Sequence, residues 1–241
     1  MKIKPYPWRS SSKKVQVEEM FDRVSTRYDL LNRLLSLGID TYWRRFGVSL
    51  LRSYGAFRVL DVATGTADLA ISVAKRTGSR VVGIDLSESM LKQAQAKIDK
   101  KRLGGLVSLE RMDAESLRFD DNSFDVVVCA FGVRNFGDLS VGLKEMHRVL
   151  RSGGLCLVIE FSMPRMYLMR FLFGLYFNFL LPLLGRLLSR DANAYRYLPA
   201  SVRVFAQGSA FLSILGGLGF TQTNVHRLTL GICSIYTATK P

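Results

Sequence analysis

The stretch VLDVATGTADL, from Val59 to Leu69, decides the fold of this chain. Its apolar beginning encloses a single acid, Asp61, and is followed by a turn of small residues and then by a helical pattern. This order predicts a buried strand, a tight turn and the start of a helix. Small side chains let a ligand approach the backbone, and N–H groups at the start of a helix attract polar or anionic groups. The turn is therefore a candidate ligand site.

Alternating strand and helix patterns continue from Phe57 to Phe161 and predict a parallel sheet with helices on both faces. The second strand, Val81–Asp85, ends in an acid that can accept hydrogen bonds from both hydroxyls of a ribose. After residue 208 the pattern predicts one more helix and two antiparallel strands, which bring the sheet to seven strands. We therefore expect an α/β, Rossmann-like fold with the seven-stranded architecture of class I S-adenosylmethionine-dependent methyltransferases.

One domain accounts for this pattern, because 241 residues suffice for a single sizeable α/β unit. Helical patterns precede the first strand, and Asn32 and Gly38 are expected to divide them into three short helices that cover the strand ends as a lid. The predicted parts are a mobile basic arm at 1–14, a helical lid at 15–54, a cofactor-binding core at 57–161, an apolar and basic helical insertion at 165–205 after the fifth strand, and a helix with a strand pair at 208–241.

The chain is strongly basic, with 34 lysines and arginines against 20 acids and a formal net charge of +14. This balance is typical of proteins that meet nucleic acid or an anionic membrane, although a solvated basic surface is the simpler explanation. The three cysteines, Cys129, Cys156 and Cys233, lie far apart without metal-ligand spacing. We expect reduced thiols in a cytoplasmic protein and no metal site. The amino terminus lacks the apolar core of a signal peptide.

An apolar segment, Phe171–Leu184, contains fourteen residues of which only Asn178 is polar. It is too short to span a bilayer, and Arg170 and Arg186 bracket it. One interpretation is a buried helix of the lid. The other, which the cationic flanks favour, is a wall for a long apolar ligand or a surface that rests on an anionic membrane. We expect a protein that lies peripherally at the inner face of the membrane.

The chemistry of the turn favours a sulfonium cofactor over a dinucleotide. A dinucleotide site requires G-x-G-x-x-G, whereas this turn has one central glycine and an acid that would repel a pyrophosphate. Each strand-end acid also has an ordinary alternative role, as a turn brace, a helix cap or a solvated side chain. Taken in order, however, the acids suit S-adenosylmethionine, with an acid and the adjacent backbone after the third strand to hold adenine. The candidate binding residues are Asp61, Gly65, Thr66, Asp68, Asp85, Asp113 and Ala114.

Longer segments on either side of the turn carry a more specific pattern. They are MFDRVSTRYDLLNRLLSLGIDTYWRR (Met20–Arg45), FDVVVCAFGVRNFGD (Phe124–Asp138), HRVLRSGGLCLVIEFSMP (His147–Pro164), YRYLPASV (Tyr195–Val202) and the final LTLGICSIYTATKP. Through these segments the chain resembles the ubiquinone/menaquinone biosynthesis C-methyltransferases from about residue 17 to residue 240.

This resemblance implies methylation of a prenylated quinol at carbon, typically demethylmenaquinol to menaquinol, with the 2-polyprenyl-6-methoxy-benzoquinol step of ubiquinone synthesis as a second substrate. In that family the residues matching Thr66, Asp85, Asp113 and Ala114 bind S-adenosylmethionine. The pair Arg134-Asn135 lies where the family places catalytic or substrate-facing residues.

Three positions depart from the family pattern. Thr64 and Ala67 stand where glycines are usual, and Ala130 stands where some members have a serine that contacts the cofactor. Because the extra methyl of Ala67 lies near the cofactor, we expect this residue to avoid positive φ.

Arg134 and Asn135 are the candidate catalytic residues. Arginine is a poor base at neutral pH, so we expect Arg134 to stabilise a phenolate oxygen and Asn135 to position the same hydroxyl or a water. An ion pair between Arg134 and a lid acid such as Asp29 is the alternative. The candidate substrate residues are Tyr28, Asp29 and Asn32 in the lid and Tyr195 and Tyr197 in the insertion.

Other functions remain open from the sequence. The charge suggests an RNA methyltransferase, but there is no Asn-Pro-Pro-Tyr-type amine site or suitably placed catalytic cysteine, so we expect no nucleic acid partner. A methyltransferase for another small molecule is a further alternative. Ala67 and Ala130 leave room for an inactive, membrane-associated scaffold. A dinucleotide oxidoreductase fits the turn least well, and a homodimer is neither predicted nor excluded.

Overall fold

The computed structural model describes residues 3–52, 58–176 and 192–241, apart from the side chains of Arg27, Leu31, Leu34, Leu35, Ala192 and Tyr195. The strands are β1 (Arg58–Val62), β2 (Arg80–Asp85), β3 (Val107–Arg111), β4 (Phe124–Ala130), β5 (Leu150–Phe161), β6 (Thr221–Leu228) and β7 (Cys233–Thr239). The helices are α1 (Lys13–Leu35), α2 (Ile39–Leu51), α3 (Asp68–Thr77), α4 (Glu88–Lys100), α5 (Leu139–Val149), α6 (Tyr167–Leu175), α7 (Ala192–Val204) and α8 (Ser209–Gly217).

The seven strands form one sheet in the order β3-β2-β1-β4-β5-β7-β6. Strands β1 to β5 run parallel, and β7 pairs antiparallel with both β5 and β6. The predicted seven-stranded architecture is therefore confirmed. The strand order reverses between β1 and β4, and in open α/β sheets such a reversal opens a crevice at the carboxyl ends of the strands.

Alternate residues of the central strands face two separate apolar cores, as the two-residue period of a strand requires. Val126 and Val128 join the core cluster on one face, whereas Val127 and Cys129 join the cluster on the other. Because both faces are covered, β4 is apolar almost throughout. The buried strands thus provide a rigid support for the loops at their carboxyl ends.

The lid contains two helices in place of the predicted three. Helix α1 continues through Asn32 for 23 residues, because an asparagine in a helix costs well under about 1 kcal/mol and packing outweighs it. The break comes at Gly38, whose φ of 76° is a left-handed conformation that glycine adopts readily.

The arm at the amino terminus is packed in the part that the structure describes, so the prediction of a mobile arm is wrong for residues 3–14. Tyr6 is 1% exposed and lies in an apolar cluster with Met20 and Tyr197. The backbone N–H of Tyr6 donates to Gln16 Oε1 at 2.9 Å, and Arg9 pairs with Glu19 at 2.5 Å. The arm therefore extends the lid along α1.

The apolar insertion is described only in part, since residues 177–191, with Arg186 and most of Phe171–Leu184, lie outside the described residues. Within α6, the side chains of Tyr167, Leu168 and Phe171 are exposed, so this helix is not simply buried. No single described helix is long and apolar enough to cross a bilayer. One pair, Arg196–Val204 and Ser209–Gly217, passes by length and composition but is bent by 69°.

Candidate active site

The turn between β1 and α3 is held in a left-handed conformation at Ala63, Gly65 and Ala67, whose φ values are 55°, 55° and 62°. The prediction that Ala67 avoids positive φ is therefore wrong. A left-handed conformation costs a non-glycine residue about 1–2 kcal/mol, and the surrounding structure has to supply it. Ala67 is fully buried in the core beneath the turn, so its methyl group packs against apolar neighbours.

Asp61 braces this turn from below. Its Oδ2 accepts hydrogen bonds from Thr64 Oγ1 at 2.7 Å and from the Ala70 backbone N–H at 3.1 Å. Its Oδ1 is buried and has no hydrogen-bond partner among the described residues. Burial raises the pKa of Asp61 to about 7. Asp61 thus fills the bracing role considered from the sequence and still offers one carboxylate oxygen to a donor.

Asp85 joins the end of β2 to the same turn. Its Oδ2 accepts from the Gly65 N–H at 2.8 Å, and its Oδ1 accepts from the Ser87 N–H at 2.9 Å. Burial raises the pKa of this carboxyl group. Each oxygen has a second lone pair, so the carboxylate can also accept from the two hydroxyls of a ribose.

Asp113 and Ala114 follow β3, and the packed arm reaches them. Lys14 Nζ donates to Asp113 Oδ2 at 2.6 Å and pairs with Glu115 Oε2 at 3.0 Å. Asp113 Oδ1 accepts from the Glu115 N–H at 2.9 Å. No local pattern predicts this contact, because Lys14 lies 99 residues before Asp113 and belongs to the arm that its composition predicts to be mobile.

Thr66 and Asp68 meet the lid through a lysine that was not predicted. Lys97 on α4 forms ion pairs with Asp68 and, at 2.8 Å, with Asp29 on α1. Thr66 Oγ1 donates to Asp29 Oδ1 at 2.5 Å. Asp68 is therefore balanced by a cation of the protein, and Asp29 is bound here instead of pairing with Arg134.

Two adjoining cavities lie at the carboxyl ends of the strands. Cavity I, of about 90 Å³, is lined by Gly65, Asp85, Met90, Asp113 and Ala114 together with neighbouring residues. Cavity II, of about 320 Å³, lies under the lid and is mostly apolar. Both are lined by Phe21, Tyr28, Phe131 and Asn135. Groups held in the two cavities therefore meet at this shared wall.

Cavity II contains the predicted pair Arg134-Asn135 on a short 3-10 turn after β4. Arg134 Nη1 donates to Glu160 Oε1 at 2.6 Å and to the Phe131 carbonyl at 2.5 Å. The side chains of Arg134 and Glu160 are 7% and 0% exposed. Glu160 was not predicted, although an acid at the carboxyl end of an apolar strand repeats the pattern of Asp61 and Asp85.

Three residues that line cavity II, Arg134, Asn135 and Tyr197, each have a buried polar atom without a hydrogen-bond partner among the described residues. The atoms are Arg134 Nε, Asn135 Oδ1 and the Tyr197 hydroxyl. Buried polar groups are normally paired, so such a group indicates a missing partner. Cavity II can therefore hold a largely apolar molecule with polar atoms at one end.

The remaining substrate candidates are Tyr28, Asn32 and Tyr195. Tyr28 lies in the shared wall, where burial raises the pKa of its phenol against the opposing hydrogen bond with Asn32. Asn32 also lines cavity II. The side chain of Tyr195 lies outside the described residues.

Comparison with known proteins agrees with this geometry. The sequence profile of the ubiE/COQ5 methyltransferase family matches residues 9–240. The chain belongs to this family. The resemblance inferred from the sequence is thereby confirmed.

Named relatives in this family align over nearly their full lengths. A demethylmenaquinone methyltransferase of Bacteroides fragilis is 43% identical over 99% of this chain and 98% of its own. A ubiquinone/menaquinone biosynthesis C-methyltransferase of Geotalea daltonii is 43% identical over 97% of this chain and 100% of its own.

Solved structures share the fold at low identity. A possible histamine N-methyltransferase of Thermotoga maritima, described as dependent on S-adenosylmethionine, is 18% identical with a TM-score of 0.66, over 93% of this chain and 100% of its own. A Haemonchus contortus phosphoethanolamine N-methyltransferase in complex with S-adenosylmethionine is 18% identical with a TM-score of 0.60, over 85% and 57% of the two chains.

Proposed function

We propose that this protein is an S-adenosylmethionine-dependent C-methyltransferase that converts a prenylated quinol, most directly demethylmenaquinol, to its methylated product. The observation that carries the proposal is the pair of cavities, with an acid-lined cavity I joined to an apolar cavity II that contains unpartnered polar atoms. The names of the full-length relatives support this choice of substrate. Family membership favours it over the RNA-modifying, scaffold and oxidoreductase alternatives.

The residues around cavity I fit S-adenosylmethionine, which supplies an electrophilic methyl group when bound. Asp85 accepts the ribose hydroxyls, while Asp113 and the Ala114 backbone hold adenine. The unpartnered Oδ1 of Asp61 and the small residues of the turn suit the cationic amino-acid portion. Lys14 has to share Asp113 with the adenine amino group, so the arm closes over this end of the cofactor.

The residues of cavity II activate the quinol by charge and placement. A ring carbon becomes nucleophilic when a neighbouring hydroxyl loses its proton, and the resulting oxyanion needs a fixed donor. Arg134 Nε is such a donor, because Glu160 and the Phe131 carbonyl fix the guanidinium through Nη1. Asn135 Oδ1 accepts from a hydroxyl, and Asn135 also lines cavity I, so it positions the ring beside the methyl donor.

A direct test uses purified protein, S-adenosylmethionine with a deuterated methyl group, and detergent-dispersed demethylmenaquinone in reduced or oxidised form. We expect labelled menaquinol from the reduced form only, because the quinone ring lacks the activating hydroxyl. Failure to methylate the quinol, or equal reaction of both redox forms, would refute the proposed chemistry. Mass spectrometry of the quinones in a deletion strain then distinguishes the two candidate substrates. Accumulated demethylmenaquinone indicates the menaquinone step, and an accumulated methoxy-benzoquinol precursor indicates the ubiquinone step.

We also propose that the mouth of cavity II rests on an anionic membrane at the cytoplasmic face. Leu37, Ile39 and Leu172 line this cavity and are exposed, and Phe171, next to Leu172 on α6, is exposed as well, so the rim is apolar. The exposed Arg165 lies just before α6, and the exposed Arg170 lies in its first half. A prenylated quinol dissolves in lipid, and an apolar rim with cations suits entry from an anionic surface. The buried thiols of the chain are consistent with a reducing compartment.

Vesicle flotation tests this docking surface. Binding to vesicles that contain phosphatidylglycerol should exceed binding to phosphatidylcholine vesicles, and Leu37→Glu and Phe171→Glu should each weaken it. An exposed residue remote from the rim, changed by Val141→Glu, is the matched control. A stable dimer in light scattering that Phe171→Glu dissociates would instead assign this surface to a second copy of the chain and overturn the membrane proposal.

A further inference from the structure

A buried cation in the lid, Arg44, lies beside the junction of the two cavities. It belongs to α2, its side chain is 12% exposed, and it lines cavity II. Its guanidinium carbon is 5.6 Å from the centre of the Phe131 ring, which lines both cavities. The quinol chemistry proposed above does not use this cation.

Arg44 has unused hydrogen-bonding capacity. Its Nη1 is paired with Asp40, one turn earlier on α2, and Asp40 also accepts from Ser36 Oγ at 2.7 Å. Among the described residues, Asp40 is the one hydrogen-bond partner of Arg44. A guanidinium carries five N–H donors in a planar fork, so Arg44 can still bind a carboxylate in a bidentate manner.

The charge of Arg44 acts on the acids of the β1–α3 turn. Burial lowers the pKa of Arg44, but the charges of Asp68 and Asp40 outweigh burial and raise it. In return, the charge of Arg44 opposes the burial that raises the pKa of Asp61. Helix α2 packs against α3, and Phe131 beside Arg44 lines cavity I together with Gly65 of the turn, so Arg44 lies near a ligand bound there. Asp61 Oδ1, which has no partner among the described residues, is buried beneath the same turn.

The other cations near the turn are already committed. Lys97 is bound by Asp29, Thr66 and Asp68. Arg134 is bound by Glu160 and the Phe131 carbonyl, and its unpartnered Nε is the donor proposed for the quinol oxygen. An anionic group that enters between Asp61 and Asp68 would be repelled unless a cation with spare donors met it, and Arg44 meets that condition.

We propose that Arg44 binds the α-carboxylate of the methionine portion of S-adenosylmethionine, opposite the α-ammonium group at Asp61. The inference rests on the cofactor assigned under the proposed function. The amino-acid portion is a zwitterion. Asp61 Oδ1 in the core would accept from its ammonium group, and the Arg44 guanidinium in the lid would donate to its carboxylate. Arg44 thereby discriminates against adenosine compounds that lack the amino-acid portion.

Calorimetric titration of two ligands tests this role without any quinol. S-adenosylhomocysteine contains the amino-acid portion, whereas 5′-methylthioadenosine lacks it. In Arg44→Gln, the affinity for S-adenosylhomocysteine should fall roughly 10- to 100-fold, as the loss of a charge-assisted hydrogen-bond pair implies, while that for methylthioadenosine stays within about twofold. The neighbouring exposed residue provides the control, because Arg45→Gln should change neither affinity.

The outcomes separate ligand binding from folding. If Arg44→Gln does not fold, Arg44→Lys should show the same selective loss to a smaller degree. Equal losses for both ligands, or an unchanged affinity for S-adenosylhomocysteine, would overturn the assignment. A wild-type protein that binds neither ligand would contradict the cofactor of the proposed function itself, whereas failure of quinol methylation alone would leave the Arg44 assignment intact.

Discussion

Cavity I and cavity II lie side by side but are built in different ways. Asp85 and Asp113 line cavity I, and Asp61 braces the turn beside it. These acids stand at or just after the ends of successive parallel strands, and each accepts from a backbone N–H at most nine residues away in sequence. Cavity II joins segments that are far apart in the chain, and even its short turn is tied to the arm, since Lys13 donates to the Arg134 carbonyl across 121 residues. The first site follows from local pattern, and the second depends on tertiary packing.

The two cavities also differ in how their polar atoms are satisfied. Beside cavity I, Asp61 has one carboxylate oxygen without a partner among the described residues, whereas cavity II is lined by three residues that each have such a buried atom. Unpaired polar atoms destabilise a fold unless a ligand pairs with them. Cavity I therefore needs few further hydrogen bonds from its ligand. Cavity II needs more of them, because its substrate has to pair with more buried polar atoms.

The largest expected effect comes from Arg134 in cavity II. Arg134→Ala should lower the rate of quinol methylation by roughly 10²- to 10³-fold, because a fixed donor for the developing oxyanion is lost. The affinity for S-adenosylhomocysteine should change by less than about threefold. Turnover assays and calorimetry on the same preparation measure the two quantities.

A second variant controls for destabilisation of the fold, because Arg134→Ala leaves the buried Glu160 without its ion-pair partner. The double change Arg134→Ala with Glu160→Gln removes that charge and should remain as inactive as the single variant. Recovery of turnover in the double variant would show that Arg134 only neutralises Glu160.

The next effect concerns the pH dependence of stability and belongs to Asp61, which braces the turn beside cavity I. Burial raises the pKa of Asp61 to about 7, against about 3.9 in an unfolded chain. Between these values the folded protein holds a proton that the unfolded chain has released, so the contribution of Asp61 to stability is lost as pH rises from about 4 to about 7. Asp61→Asn removes this titration. The difference in unfolding free energy between the two proteins should then change by about 4 kcal/mol across that window.

Urea denaturation at several pH values measures this difference, in the absence of ligand. An exposed acid provides the control, and Asp120→Asn should follow the wild-type profile. Parallel profiles for the wild type and Asp61→Asn would mean that folding does not raise the pKa of Asp61.

The same contrast explains what the sequence could predict. Apolar runs with acids at their ends placed the strands and the acids of cavity I, because strand patterning and turn chemistry are local properties. Lys14 and Lys97 were missed, since a surface-type lysine has no local mark that identifies a partner in a distant segment. Glu160 could have been found, because it interrupts an apolar strand as Asp61 does, but its pairing with Arg134 depends on the register of β4 and β5.

The errors in the lid have a related cause. Asn32 predicts a break in the helix, but the burial of a long amphipathic helix outweighs the low helix propensity of one residue. The basic arm was judged by its charge, whereas its fixed position comes from Tyr6, one buried aromatic residue in a polar stretch. The composition of the arm predicts mobility because most of its residues are polar or basic, but the single buried Tyr6 fixes its position.

Lys97 provides a smaller test, at the point where the lid meets cavity I. In Lys97→Met, Asp29 and Asp68 lose the cation between them, and we expect a loss of about 1 kcal/mol, since all three side chains are partly exposed. The exposed pair of Lys92 with Glu88 on the same helix is the matched control. Urea denaturation should show a loss for Lys97→Met and no measurable change for Lys92→Met, and equal effects would mean that the lid is not fixed by this contact.

The smallest net effect is expected at Ala67, in the turn that follows β1. Ala67→Gly relieves a left-handed conformation worth about 1–2 kcal/mol, but it removes a buried methyl group worth about 0.8 kcal/mol and makes the unfolded chain more flexible. These contributions nearly cancel, so stability should change by less than about 1 kcal/mol. Ala70 is equally buried but helical, and Ala70→Gly loses the methyl group and helix propensity together, about 2 kcal/mol. The difference between the two substitutions in thermal or urea denaturation measures the strain held in the turn, and equal losses would show that Ala67 is not strained.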